Sequence, residues 1–318
     1  RTKERFTKNM VKIDLITGFL GSGKTTFIKK YAKHLIDKGD NIGILENDYG
    51  AVNVDMMLLK DLEGEKCELE MIAGGCDADC HRRRFRTKLI AMGMCGYDRV
   101  IVEPSGIYDV DEFFDVLRDD PIDRWYEIGN VITVVDAKLE EKLSDEADYL
   151  LASEAANAGC IVLSRSQEAS EKEIENTVSH LNAAMEKVQC KRRFKDEIVV
   201  KDWTAFDEAD YETFLSCGYV PENYRKMHIE EGETFKSLYF MNLDKTTDEI
   251  IEAAKHILED KECGRVFRVK GFLKDEAGEW LELNATHQEM RICPIPEGQE
   301  VVIVIGEELN EERIQQYF

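Results

Sequence analysis

Gly18-Phe19-Leu20-Gly21-Ser22-Gly23-Lys24-Thr25 satisfies the pattern G-x-x-x-x-G-K-[ST] at every position. The run before it, Val11-Lys12-Ile13-Asp14-Leu15-Ile16-Thr17, reads as a buried strand. The run after it, Thr26 to Ile36, carries apolar residues at helical spacing. A strand feeding a helix through such a loop is what a polyphosphate cradle requires. The glycines let the backbone approach the phosphates closely, and the helix start turns free N–H groups and its positive dipole end toward them. In that cradle Lys24 reaches the β- and γ-phosphates and the Thr25 hydroxyl sits on Mg²⁺, while Gly18, Gly21, Ser22, Gly23 and Thr26 line the nucleotide. The loop predicts binding of a nucleoside triphosphate.

Composition narrows the class. The 318 residues suffice for two domains, and 43% hydrophobic with 34% charged residues describes a soluble globular chain. A net charge of −23 argues against a nucleic-acid backbone or an anionic membrane as partner. The basic stretch from His81 to Arg86 is the local exception. No run approaches the roughly 18 apolar residues that read as a membrane span. Nine cysteines in a large chain with a nucleotide motif suit a reducing cytoplasm. Residues 1–9 are polar and basic, and are expected to be an extension or cloning remnant ahead of Met10.

Outward from the loop, strand-like runs alternate with helical ones. The strands are expected at Asn41 to Leu45, Glu68 to Ile72, Arg99 to Val102, Val131 to Val135, Cys160 to Leu163 and Glu197 to Val200. Helices are expected at Arg82 to Met94, Asp109 to Leu117, Asp145 to Ala156 and Ser170 to Lys187. This alternation predicts an α/β fold, a mostly parallel sheet covered by helices, with ligands at the carboxyl ends of the strands. The nucleotide domain is expected over 10–203 and a polar, aromatic-dotted linker over 204–233. A small α+β domain with a mainly antiparallel sheet follows over 234–318.

Further motifs cluster at the expected strand ends. Glu46-Asn47-Asp48-Tyr49-Gly50, then Val54-Asp55, follow the second strand, and Glu103-Pro104-Ser105-Gly106 follows the strand at Val100 to Val102. With Gly18 to Thr26, Arg268-Val269-Lys270-Gly271, Ile305-Gly306 and the final helix, these segments resemble the CobW-type metallochaperone GTPases (CobW/UreG/HypB-like) of the SIMIBI class of phosphate-loop proteins. The resemblance covers nearly the whole chain from Met10. It implies GTP binding with Mg²⁺, slow hydrolysis, and delivery of a transition metal, Zn²⁺ or Co²⁺, to a client metalloprotein or corrinoid-system protein. A homodimer across the nucleotide is a further implication of the class.

Physical roles follow for the strand-end residues. Glu103 is placed to hold Mg²⁺ through water or to orient the attacking water, so with Lys24 it forms the expected catalytic pair. Gly106 offers its N–H to the γ-phosphate. Asp48, like Glu46, can face Mg²⁺ or a cysteine cluster. The family's G-C-x-C-C segment is altered here to Gly75-Cys76-Asp77-Ala78-Asp79-Cys80. The six residues from Cys76 to His81 still hold two thiols, two carboxylates and an imidazole, a donor set that suits Zn²⁺. Cys76, Cys80, Asp79, His81 and Glu46 are the candidate ligands.

The base-reading segment departs further. Where this class carries N-K-x-D, the chain has Ser164-Arg165-Ser166-Gln167. Gln167 offers guanine one acceptor oxygen and confronts it with an amide donor, whereas adenine could take both groups. The Arg165 guanidinium can stack over either purine. Guanine follows from the resemblance, while these residues leave GTP and ATP both open. Two alternatives stay in view: an ATP-using phosphate-loop enzyme, and a nucleotide-gated module for a protein or corrinoid with negligible turnover.

Overall fold

The computed structural model describes residues 10–19, 21–48, 54–73, 78–104, 110–140, 142–226, 235–287, 289–295 and 298–318. The chain divides into two compact units, Arg1–Tyr49 with Leu58–Met227, and Gly50–Met57 with His228–Phe318.

Through Ser216 strands and helices alternate, with Val54–Met57 of α2 counted in the second unit. In order these are β1 (Val11–Thr17), α1 (Lys24–Lys38), β2 (Ile42–Asp48), α2 (Val54–Leu59), β3 (Cys67–Ala73), α3 (Ala78–Met92) and β4 (Arg99–Pro104). They continue with α4 (Val110–Leu117), β5 (Tyr126–Asp136), α5 (Asp145–Ala156), β6 (Cys160–Ser164), α6 (Glu171–Lys187), β7 (Ile198–Val199) and α7 (Glu208–Ser216). The strands form one sheet in the order β3-β2-β4-β1-β5-β6-β7. Every pairing in it is parallel. This is the expected helix-covered parallel sheet. Such strands must be apolar on both faces, and β4 and β6 are buried at every position. Strand order reverses direction around β1, which puts the loop after β1 at the topological switch where open α/β sheets bind ligands.

Helix α1 lays Phe27, Ile28, Tyr31 and Leu35 on the sheet, an i, i+1, i+4, i+8 stripe, and each is at most 2% exposed. Burying each such side chain contributes about 1.5–3 kcal/mol. Helix α5 is buried from Ala147 to Ala156 with no exposed face, as a helix enclosed on all sides must be.

The segment read from the sequence as linker differs in its first half. It contains α7, whose Phe214 is fully buried in the same core as Phe27 and Trp203. The Phe27 ring lies 5.7 Å from Trp203 and 5.2 Å from Phe214, edge to face in both cases. Alternating Asp and Glu between the aromatics mask a helix that packs by only a few large side chains.

The second unit carries β8 (Phe235–Met241), α8 (Thr247–Glu259), β9 (Arg265–Lys274), β10 (Trp280–Thr286), β11 (Met290–Ile295), β12 (Val301–Glu307) and α9 (Glu311–Gln315). Its sheet, β11-β10-β9-β12-β8, is antiparallel throughout. Helix α8 starts at a capping box between Thr246 and Glu249, and its apolar face, Ile250, Ala254 and Ile257, packs on Val269, Leu283 and Val302.

Candidate functional site

The loop after β1 is set by backbone that side chains would not permit. Gly18 has φ +148°, and a Cβ there would meet the Val134 carbonyl oxygen at 2.3 Å and Ser22 Oγ at 2.6 Å. Gly23 adopts a left-handed conformation as the N-cap of α1, and no side chain caps the first turn. That turn also lacks any acidic residue, so its N–H groups and positive dipole end stay available to an anion.

Two contacts order the cradle. Lys24 Nζ donates to the Gly18 carbonyl at 2.8 Å, which folds the lysine back across the loop. Thr25 Oγ1 donates to Glu103 Oε1 at 3.0 Å, so the α1 hydroxyl meets the carboxylate at the end of β4. All three side chains are buried, at 7%, 7% and 4% exposure. Glu46 is also buried, and in the β2–β4 register it is paired directly with Glu103. Sequence proximity gives no hint of that carboxylate pair; parallel pairing creates it. A hydroxyl and hard carboxylate oxygens at one strand edge are the donor chemistry that Mg²⁺ takes.

Ser22 Oγ is buried and, among the described residues, has no hydrogen-bond partner; Ser164 Oγ is in the same state. Ser164 ends β6 against the loop, its Cβ 3.5 Å from where a Gly23 Cβ would stand. Its neighbour Arg165 takes φ +55°. That conformation turns the guanidinium onto Asp136 at the end of β5, with Nε on Oδ1 at 3.1 Å and a second N–H on Oδ2. The guanidinium expected to lie over a purine is therefore held at its edge by a forked ion pair. Asp136 escaped the sequence-based expectations, although a carboxylate closing an apolar strand beside the loop could have flagged it. Gln167 is exposed in the turn that follows, and Thr26 is exposed on α1.

Glu154 also escaped them. It lies in the last turn of α5, where the Thr17 and Thr133 hydroxyls, 2.6 Å apart, approach its carbonyl oxygen at 2.9 and 2.8 Å. Its carboxyl is 2% exposed, and Oε2 has no hydrogen-bond partner among the described residues. A fourth acidic residue in α5, after Asp145, Glu146 and Asp148, gives no signal in the sequence, because only the packing of α5 turns it inward.

The candidate metal ligands are distributed differently. Cys76 and the γ-phosphate donor Gly106 lie outside the described residues, and Asp79 and Asp48 are placed by backbone alone, in α3 and β2. Cys80 is half-buried on α3. His81 is 1% exposed and continues the stripe Phe85, Leu89, Met92, the i, i+4, i+8, i+11 face of α3 that packs inward. Burial, reinforced by the Arg84 charge, lowers its imidazole below the ordinary histidine range. Among the described residues no group of three His, Cys, Asp or Glu side chains is placed to hold a metal ion. None of the described helices is long and apolar enough to cross a membrane.

Comparison with known proteins agrees with the cradle. Residues 12–195 match the family model described as CobW/HypB/UreG, nucleotide-binding domain. The zinc chaperone YeiR of Escherichia coli is 30% identical over 143 residues, which are 44% of this chain and 42% of that protein. The zinc chaperone YjiA of the same organism is 26% identical over 188 residues, 55% of this chain and 56% of the relative. The chain thus spans about half the length of these relatives. The crystal structure of Zn(II)-bound YjiA GTPase from E. coli aligns over 98% of both chains at 17% identity, with a TM-score of 0.40. With the family model matched from β1 through α6, over more than half of the residues, this chain belongs to the CobW/HypB/UreG nucleotide-binding domain family.

Proposed function

We propose that this protein is a nucleotide-dependent metallochaperone. It binds GTP at the loop from Gly18 to Thr25, hydrolyses it slowly, and passes Zn²⁺ or Co²⁺ to a client metalloprotein or corrinoid-system protein in the cytoplasm, as a homodimer across the nucleotide. The observation that carries this is the ordered cradle, Lys24 folded onto Gly18 and Thr25 on Glu103 at the carboxyl ends of the central strands β1 and β4. Zinc as cargo is supported by the names of the relatives, both zinc chaperones.

Thr25 and Glu103, with Glu46 beside them, would hold Mg²⁺, which supplies charge neutralisation at the β- and γ-phosphates. Lys24 leaves the Gly18 carbonyl for the phosphate oxygens and stabilises charge as it develops there. Glu103 orients water at the strand end. Arg165, pinned by Asp136, closes the base side without the carboxylate that the class uses to select guanine, so discrimination against ATP is expected to be weak.

The test compares wild type with Lys24→Ala in nucleotide binding, phosphate release and Zn²⁺ stoichiometry. Loss of a preorganised cation should cut triphosphate affinity and turnover by roughly 100-fold while zinc uptake persists. Phosphate release at the wild-type rate in the variant would reject the assignment of the loop. Zinc uptake absent from wild type would reject the cargo.

A further inference from the structure

Glu154 has no part in the function outlined above, yet the fold places it at the phosphate loop. A short chain of contacts joins it to Lys24. The Thr17 hydroxyl lies 2.9 Å from the Glu154 carbonyl, Thr17 precedes Gly18, and the Gly18 carbonyl receives Lys24 Nζ at 2.8 Å. Thr133 ties the same carbonyl to β5 at 2.8 Å. The end of α5 is therefore tied to β1 and β5 beside the loop, and its carboxyl oxygen Oε2 is buried without a hydrogen-bond partner among the described residues. Burying an ionised carboxylate is costly unless a charge offsets it.

Burial pushes the Glu154 carboxyl up to about 8, and Lys24 is the charge that draws it down. Among the described residues, Arg192 also reaches this end of α5, where it donates to the Ala156 and Ala158 carbonyls. β1 and β5 present the neutral Thr17 and Thr133, and on α6, which packs along α5, His180 and Lys187 are both engaged by Asp148.

We propose that Glu154 is a positioning residue for Lys24, which the carboxylate and the nucleotide phosphates share, so that triphosphate binding transfers one proton from solvent to the Glu154 carboxylate. This rests on the loop being a triphosphate site, as proposed above. Lys24 turns from the loop to the phosphates and the polyphosphate adds negative charge, and both changes favour the neutral acid. No covalent bond changes; the proton comes from water or buffer and is returned when the nucleotide leaves.

The sign follows from linkage. The bound state titrates higher than the free state, so between the two binding consumes a proton and affinity falls as pH rises. The limit is tenfold per pH unit. Below the free-state value the carboxyl is already protonated and the dependence flattens. Glu154 would thereby set how tightly Lys24 is available to a ligand at alkaline pH.

The experiment is calorimetry of a non-hydrolysable GTP analogue with Mg²⁺ on the full chain at pH 8.5, in two buffers of different ionisation enthalpy. It is repeated as an affinity series from pH 7.5 to 9.5, where the phosphates are ionised. Wild type should take up more than about half a proton at pH 8.5. Glu154→Gln should take up essentially none, and should bind more tightly than wild type by a ratio that grows with pH. Equal uptake in both proteins, or binding by wild type without uptake, overturns the inference and leaves the triphosphate site standing. No binding by wild type at pH 7.5 overturns both. Should the variant fail to fold, the wild-type buffer pair decides alone.

Discussion

Midway along β1, Asp14 is wholly buried, and its carboxylate accepts from Tyr31 Oη at 2.7 Å, Arg99 Nη1 at 2.6 Å, and the backbone N and Nδ2 of Asn130 at 2.8 and 3.2 Å. At the exit of the same strand, Thr17 leads into a loop around which Ser22 Oγ, Ser164 Oγ and Glu154 Oε2 are buried without partners among the described residues. Both places hold buried polar groups, and they differ in whether protein satisfies them. Gly129 shows how tightly the first is built, since a Cβ there would meet Asp14 Oδ1 at 2.3 Å. A closed network holds the sheet in register. An open one retains unspent hydrogen-bonding capacity, each unmet group costing about 1–3 kcal/mol, and a ligand recovers that cost. The Asp14 network is closed by protein; the groups around Gly18 are left open.

Substitutions at the two places should separate stability from affinity. The largest effect is expected for Asp14→Asn, which keeps the shape and removes the charge. Arg99 is then left buried and uncompensated, and urea unfolding should lose about 3–5 kcal/mol. Nucleotide affinity of the folded fraction should stay within a few-fold, and a loss confined to affinity would break the comparison. Thr25→Ala comes next. It removes the hydroxyl from Glu103 and should weaken Mg²⁺-nucleotide binding by about 1–3 kcal/mol, with the urea midpoint nearly unmoved; an unfolding effect as large as that of Asp14→Asn would show the exit to be structural as well. The smallest is Asp136→Asn. The Asp136 and Arg165 side chains are 16% and 14% exposed, so loosening the pair should cost about 1 kcal/mol or less in stability. Its sharper readout is the ratio of GTP to ATP affinity, which shifts if the pinned guanidinium borders the base. An unchanged ratio removes Arg165 from the base site.

Much of this contrast was legible beforehand at one of the two places only. The loop motif, its flanking strand and helix, and Glu103 at the next strand end were all readable, because local backbone demands and strand-end position fix them. The helices α5 and α6 fall where apolar spacing places them. Asp136, Glu154 and the Asp14 network were not legible. Each acts through residues dozens of positions away, and an isolated acid in an apolar run looks the same whether it faces water or a lysine. The aromatic core under α7 escaped for a related reason, since Trp203, Phe206 and Phe214 are separated by Asp207, Glu208, Asp210 and Glu212. His81 illustrates the reverse case: neighbouring thiols and carboxylates suggested a ligand, while its place one turn before Phe85 sets it on the inward stripe of α3.

The sequence by itself determined the phosphate cradle, the alternating parallel sheet and the antiparallel second unit. Those depend on local conformation and on hydrophobic period, which a chain carries in its order of residues. Tertiary structure alone decided that Glu46 stands beside Glu103, that Asp136 holds Arg165 and that the carboxyl of Glu154 is buried at the end of α5 beside the strand that leads into the loop. Parallel pairing aligns strand ends far apart in the chain, and burial then fixes the charge each group can bear. The loop is set by local backbone; the groups that surround it are set by packing.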